Sequence, residues 1–158
     1  MKRVLLFRHS HAQSPLEAPD RERQLSDLGV QQARRIMAVV LNRGLVPDLG
    51  LVSPYRRARQ TMALLLEACR ESGLPEFEVR DWLGCCADGD PKSAMKHLKS
   101  LDSAATVVVV GHEPFVSGLV LQATLRRVEV MPCDLIVLGW NGAEWTFEEN
   151  LTYSGFLD

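Results

Sequence analysis

Two continuously apolar runs, Val4-Leu5-Leu6-Phe7 and Thr106-Val107-Val108-Val109-Val110-Gly111, constrain this chain more than any other feature. Neither alternates apolar with polar residues. Each therefore reads as a strand buried on both faces, as in a parallel sheet with helices packed on both sides. Each run also ends at a histidine, His9 after Arg8 in the first case and His112 in the second. In an open parallel sheet the carboxyl ends of the strands border the ligand crevice, so two imidazoles far apart in sequence can share one pocket. The arginine beside His9 offers a planar fork of donors matched to phosphate or carboxylate oxygens. The expected chemistry is phosphoryl transfer.

The remaining segments alternate between strand-like and helix-like patterns. Residues 11–25 form a polar loop containing Pro15, Pro19 and four charged residues at 20–23, long enough to border a site. Ser26 caps a helix running to about Arg43, with Ala33, Ile36, Val40 and Leu41 inward and Gly44 as the stop. After a short strand at 49–52, Ser53-Pro54 reads as a helix start, cap residue followed by proline, with Ala58, Met62, Leu65, Leu66 and Cys69 on the buried face. A strand at 77–80, a loop at 81–89 and a helix opened by Asp90-Pro91 follow. The helix after His112 begins at Glu113-Pro114, turns Phe115, Leu119, Val120 and Ala123 inward and ends near Arg126. Residues 134–140 are a strand, Asn141-Gly142 a two-residue hairpin turn, and 143–148 an alternating return strand. The predicted fold is a single-domain three-layer α/β/α sandwich over residues 1–158, mostly parallel with an antiparallel edge hairpin.

Lys plus Arg number 18 against 20 for Asp plus Glu, so no overall basic field draws the chain to nucleic acid or an anionic membrane. The first strand starts almost at once, without a basic-then-apolar leader, and no apolar run approaches the ~20 residues that span a bilayer. The expectation is a cytoplasmic protein. Cys69, Cys85, Cys86 and Cys133 lack C-x-x-C spacing, so no metal or disulfide is expected of them. His9-Ser10-His11 has the form of a metal-hydrolase H-x-H, but only His97 and His112 remain as further histidines, and the chain is short for a barrel. There is no phosphate-binding G-x-x-x-x-G-K-[ST] loop, no G-x-S-x-G elbow and no cysteine followed six residues later by arginine.

A histidine attacks phosphorus through an unprotonated ring nitrogen while its other nitrogen is held by a carbonyl or carboxylate. His9 is the expected nucleophile. The transferred group spreads negative charge over three oxygens, so catalysis needs preorganised cations around it. Arg8, His112 and an arginine from Tyr55-Arg56-Arg57-Ala58-Arg59, at the start of a helix that follows a strand, are suited to that task. Periodicity alone does not choose among Arg56, Arg57 and Arg59.

Four segments together carry a resemblance: Leu6-Phe7-Arg8-His9-Ser10-His11-Ala12, Leu25-Ser26-Asp27-Leu28-Gly29-Val30-Gln31-Gln32-Ala33, Ser53-Pro54-Tyr55-Arg56-Arg57-Ala58-Arg59-Gln60-Thr61 and Val110-Gly111-His112-Glu113-Pro114. In order and spacing they resemble the histidine phosphatase superfamily, whose fold is phosphoglycerate mutase-like. Length and the Arg23-Gln24-Leu25-Ser26 loop look most like its SixA-type phosphohistidine phosphatase branch. The resemblance implies that His9 is phosphorylated, that Arg8 and Arg57 hold phosphate oxygens, and that His112 completes the clamp. It adds Arg23 as a further phosphate contact, with Arg21 as a nearby competitor. It implies no cofactor and no metal, and a partner in the form of a phosphohistidine-carrying signalling or phosphotransfer protein. Ser10 stands where the superfamily typically has glycine, and Pro15 where many members have asparagine. Larger members place a glutamate acid after the third strand, and Asp81 is the nearest match here, a candidate proton donor. Hydrolysis of a small phosphomonoester by the same chemistry, or noncatalytic phosphate binding, are the competing functions; an intact His9 and His112 argue against the last, because binding needs no nucleophile.

Overall fold

Burial on both faces dictates where the two apolar runs go. In the computed structural model, which describes residues 2–153, strand β1 (Lys2–Arg8) and strand β4 (Thr106–Gly111) lie side by side and parallel at the centre of one six-stranded sheet. Val4 to Phe7 and Val107 to Val110 are fully buried. Removing each such side chain from water contributes about 1.5–3 kcal/mol, so these two strands anchor the core. Strand β2 (Leu49–Val52) pairs parallel with β4, and β3 (Glu78–Asp81) pairs parallel with β2 at one edge. On the other side of β1, β5 (Leu135–Trp140) and β6 (Trp145–Leu151) run as an antiparallel hairpin, giving the order β3-β2-β4-β1-β5-β6.

Helices α1 (Asp27–Asn42) and α2 (Arg56–Glu71) cover one face, and α3 (Pro91–Ser100) and α4 (Phe115–Thr124) the other. The chain leaves β1 toward the α1 face and β4 toward the α4 face. The crevice between those two neighbouring strands is therefore the switch point where ligands bind in such sheets. The sequence signals for α1 and α3 hold: the Ser26 hydroxyl accepts from Gly29 N–H, and Asp90 accepts from Ser93 N–H. Gly44 and Gly73, just past α1 and α2, take positive φ of 73° and 69°. No helix among the described residues is long and apolar enough to cross a membrane.

Two local expectations are corrected. Helix α2 starts at Arg56, with Tyr55 as its cap residue, not at Ser53-Pro54. A residue before proline is held extended, so Ser53 continues the line of β2 and its hydroxyl is used elsewhere. The hairpin turn is four residues, not two: Trp140 pairs with Trp145, and the Asn141 side chain accepts from both Ala143 and Glu144 N–H. That asparagine builds the turn through its own side chain. Leu41, Leu66 and Ala123 are only half-buried, whereas Met37, absent from the expected inward set, is fully buried.

Candidate active site

The parallel register brings the site together. Arg8 pairs with Gly111 and Val52 with Val110, so the next residues on three adjacent strands are His9, His112 and Ser53. His9 N–H donates to Gly111 C=O at 3.0 Å and Ser53 N–H to Val110 C=O at 3.1 Å, extending the ladder into the site. The His9 and His112 ring centroids lie 5.0 Å apart.

His9 is locked in one tautomer. Its Nδ1 lies 2.8 Å from the Ser10 carbonyl oxygen, which can only accept, so Nδ1 carries the proton and Nε2 the lone pair. Arg57 Nε–H points at that Nε2 from 3.2 Å. Burial, with the nearby His112, Arg57 and Arg8 charges acting in the same direction, outweighs the Ser10 hydrogen bond and lowers the pKa of His9 to about 3. The Nε2 lone pair of this buried, neutral ring is engaged only by the Arg57 donor and has the protonation state that attack on phosphorus requires.

The cations surround it. Arg8, Arg23, Arg57 and His112 line one pocket of about 320 Å³ with His9, His11, Ala12, Ala87, Glu113 and Pro132. Arg8 donates to the Val130 carbonyl at 2.7 Å, and its Nε is buried without a partner, a donor that an oxyanion in the pocket can satisfy. Arg57 is 6% exposed. It donates to the Asp20 carbonyl at 2.6 Å and directs a second nitrogen toward His112 Nδ1 at 3.5 Å. Arg23 donates to the Gln13 carbonyl at 2.9 Å. The Asp20 carboxylate lies 3.0 Å from Arg23 and 3.4 Å from Arg57, and those cations hold it below the ordinary carboxylate range against its partial burial. Burial likewise lowers His112 to about 4, with Arg57 as the next cause, so both rings are neutral near pH 7.

The choice that periodicity left open among three arginines is made by the α2 start. Arg57 faces the pocket next to buried Ala58, while Arg56 and Arg59 face solvent. Other residues of the same segment hold the site in place. Gln60 Oε1 accepts from Leu25 N–H at 2.7 Å, tying down the 11–25 loop. Thr61 Oγ1 accepts from Ser10 N–H at 3.1 Å and donates to the Arg57 carbonyl at 2.8 Å. Ser10, unusual against the resembling family, is buried and donates to the Gly29 carbonyl at 2.6 Å, pinning the turn after β1 to α1. Gly29 is needed there: a Cβ would sit 1.9 Å from the His11 carbonyl oxygen.

His9, Arg8, Arg57, His112 and Arg23 thus converge, and Asp81 does not join them. It ends the edge strand β3, exposed, with its carboxylate accepting from Arg59 at 2.6 Å. Two strands separate it from β1, the strand that carries His9. Arg21 stands over the Tyr55 ring at 5.4 Å and is not among the pocket-lining residues. His11 is at the rim, its Nδ1 2.6 Å from Ser26 Oγ. Sequence reasoning missed Asp20, Ser53, Tyr55, Glu113 and the 130–132 segment. Glu113 adjoins His112 in sequence and was legible as a neighbour; the 130–132 segment carries no motif and reaches the site only because β5 returns beside β1.

Comparison with known proteins places this geometry. The family model of the histidine phosphatase superfamily (branch 1) matches residues 4–88. No curated protein matches. Among solved structures, the protein histidine phosphatase SixA complexed with tungstate is 22% identical, with 97% of this chain and 98% of that one covered and a TM-score of 0.87. A protein from Agrobacterium tumefaciens assigned as a phosphohistidine phosphatase SixA is 21% identical over 96% and 98%, at 0.75. The alpha-ribazole phosphatase from Shigella flexneri is 14% identical over 96% and 97%, at 0.74. These likenesses establish a phosphoglycerate mutase-like fold, and with four motifs in order and a matching family model, the chain belongs to the histidine phosphatase superfamily, branch 1.

Proposed function

We propose that this protein is a metal-independent phosphatase that works through phospho-His9 and acts on phosphohistidine in a protein partner. The observation that carries the reading is the His9 tautomer: Nδ1–H held by the Ser10 carbonyl, Nε2 unprotonated and accepting from Arg57 Nε–H within the arginine clamp. In the first step the Nε2 lone pair bonds to phosphorus, the substrate P–N bond breaks, and the leaving imidazole takes a proton from solvent. Arg8, Arg23, Arg57 and His112 stabilise the charge on the equatorial oxygens. In the second step water attacks phosphorus, the P–Nε2 bond breaks, water gives up a proton, and phosphate leaves. An imidazole departs more readily than an alkoxide and needs little acid help, which agrees with Asp81 lying away from the pocket.

The protein substrate is favoured by the rim. The segments that border the clamp carry exposed apolar side chains, Leu16 at 96% and Met131 at 55%, and no inserted domain covers the pocket among the described residues. A small phosphoester gains little from such a surface, whereas a protein adds contacts beyond the phosphoryl group. Phosphate release from a phosphohistidine protein and from phosphoglycerates, sugar phosphates and nucleotides, measured side by side at equal low concentration, tests this. The expected result is a higher kcat/KM on the protein. A small ester outpacing every phosphohistidine protein would establish the small-molecule alternative, the activity class named for the ribazole phosphatase relative.

A further inference from the structure

We propose that Ser53 is a positioning residue that accepts the His112 Nε2 proton opposite Arg57 and so holds the ring with Nδ1 toward the phosphoryl group. The inference rests on the catalytic reading above, but its central observation is independent of any substrate. Ser53 is fully buried, and its Oγ lies 2.7 Å from His112 Nε2. The same oxygen accepts from Tyr55 N–H at 3.2 Å and lies 3.5 Å from Cys86 Sγ. A hydroxyl has one proton and two acceptor positions. With Tyr55 N–H donating to Oγ, all three are filled in either of two ways: His112 Nε2–H donates to Oγ and the hydroxyl proton goes to the Cys86 sulfur, or the hydroxyl donates to a bare Nε2 and the Cys86 thiol donates to Oγ.

The other side of the ring decides between them. His112 Nδ1 faces an Arg57 nitrogen at 3.5 Å, and a guanidinium only donates. A proton on Nδ1 would set two donors against each other, whereas a lone pair there accepts from Arg57. Arg57 therefore selects the Nε2–H form, and Ser53 is the buried acceptor that holds that proton. The Tyr55 ring packs edge-on to His112 at 5.0 Å and restricts its swing. The Nδ1 left facing the pocket is the atom that takes up a proton when a phosphoryl group arrives. As an imidazolium, His112 then donates to a phosphoryl oxygen from Nδ1 while Nε2–H still donates to Ser53. The proton comes from the phosphoryl monoanion or from solvent. The charged groups facing this ring are Arg57 from α2, Arg8 from β1, and Asp20 and Arg23 from the 11–25 loop.

Nitrogen-15 NMR of the histidine rings in the whole protein, in phosphate-free buffer near neutral pH, tests the assignment directly. The wild type should show His112 protonated on Nε2 and bare on Nδ1. In Ser53→Ala the buried Nε2–H loses its acceptor, so the His112 ring signals should shift and broaden as the ring leaves its single orientation, and kcat should fall about tenfold or more, as for other residues that orient a reactive histidine. Ser53→Thr keeps the hydroxyl and should restore both readouts. A wild-type ring protonated on Nδ1, or a Ser53→Ala protein with unchanged His112 ring signals and kcat within twofold, would overturn the proposal. Should Ser53→Ala fail to fold, the wild-type tautomer and the Thr variant still decide it. The expected tautomer in a protein inactive on every phosphoryl donor would refute the catalytic reading while leaving this role of Ser53 standing.

Discussion

Two imidazoles buried in neutral form should make this protein acid-sensitive well above the range in which its carboxylates titrate. An unfolded histidine takes a proton near pH 6.5, whereas folded His9 and His112 resist it until about pH 3 and about pH 4. Between those limits the unfolded chain binds more protons than the folded one, so stability rises with pH and is lost as pH falls from about 6.5. At pH 5 each ring contributes about 2 kcal/mol of that loss, from 1.5 pH units at about 1.4 kcal/mol each, and the pair about 4 kcal/mol relative to pH 8. Asp20, held low by its arginines, loses its own contribution only below its ordinary range, and burial raises Asp134. Both carboxylates remain in the comparison proteins and cancel. Urea denaturation at pH 8 and pH 5 in phosphate-free buffer should therefore show a difference in unfolding free energy that shrinks by about 2 kcal/mol in His9→Ala, and by a similar amount in His112→Ala. The cavity left by each substitution shifts both pH values equally and drops out. If wild type and both variants show the same pH dependence, the rings are not held neutral, and the account of the nucleophile fails with them.

Four further outcomes follow from the site. Arg57→Ala should lower kcat by about a hundredfold or more, because it removes donors aimed at the developing charge, whereas Arg59→Ala removes only an exposed pair with Asp81 and should leave turnover nearly unchanged; steady-state rates with inverted effects would reject the assignment of Arg57. Wild type quenched in alkali during turnover should carry acid-labile phosphate on His9, and His9→Ala, correctly folded by circular dichroism, should carry none and show no turnover. Gly29→Ala should destabilise by about 2 kcal/mol in thermal or urea unfolding: helix propensity favours alanine by about 1 kcal/mol, but a Cβ 1.9 Å from the His11 carbonyl forces backbone apart at a larger cost. Turnover in EDTA should equal that without it, since guanidinium groups carry the positive charge at the phosphoryl position; loss restored by zinc or manganese would reopen the H-x-H reading.

Legibility in the sequence followed the range of the interaction that fixes each feature. Strands β1, β2 and β4 were readable because burial on both faces leaves no alternative composition, and helices α1 and α3 because their caps lie within three residues. The start of α2 was not. Ser53-Pro54 has the local form of a cap, but the partner that takes the Ser53 hydroxyl is His112, 59 residues away. The same holds for the hairpin, where the Asn141 side chain replaced the expected two-residue turn. Periodicity could not choose Arg57 without the helix phase, so only the resemblance named it, and Asp81 was matched by position after a strand that proves to be the sheet edge. Val130, whose carbonyl holds Arg8, reaches the site through the strand order, which no local pattern records.

The electrostatics of the arginine cluster explain why these elements belong together. Burial first, and then the nearby Arg57 and Arg8 charges, keep protons off His9, so the cations proposed to hold a phosphoryl group also favour its nucleophilic form. Their mutual repulsion would splay the arginines apart if nothing opposed it. Asp20 opposes it, contacting Arg23 and Arg57 with one carboxylate and its own carbonyl, while the Val130 and Gln13 carbonyls hold Arg8 and Arg23. Because Asp20 is exposed and the two carbonyls are neutral, this opposition holds the donors in place without cancelling the field at His9 Nε2. An arriving phosphoryl group meets donors already oriented, and the reorganisation that water would require has been completed during folding.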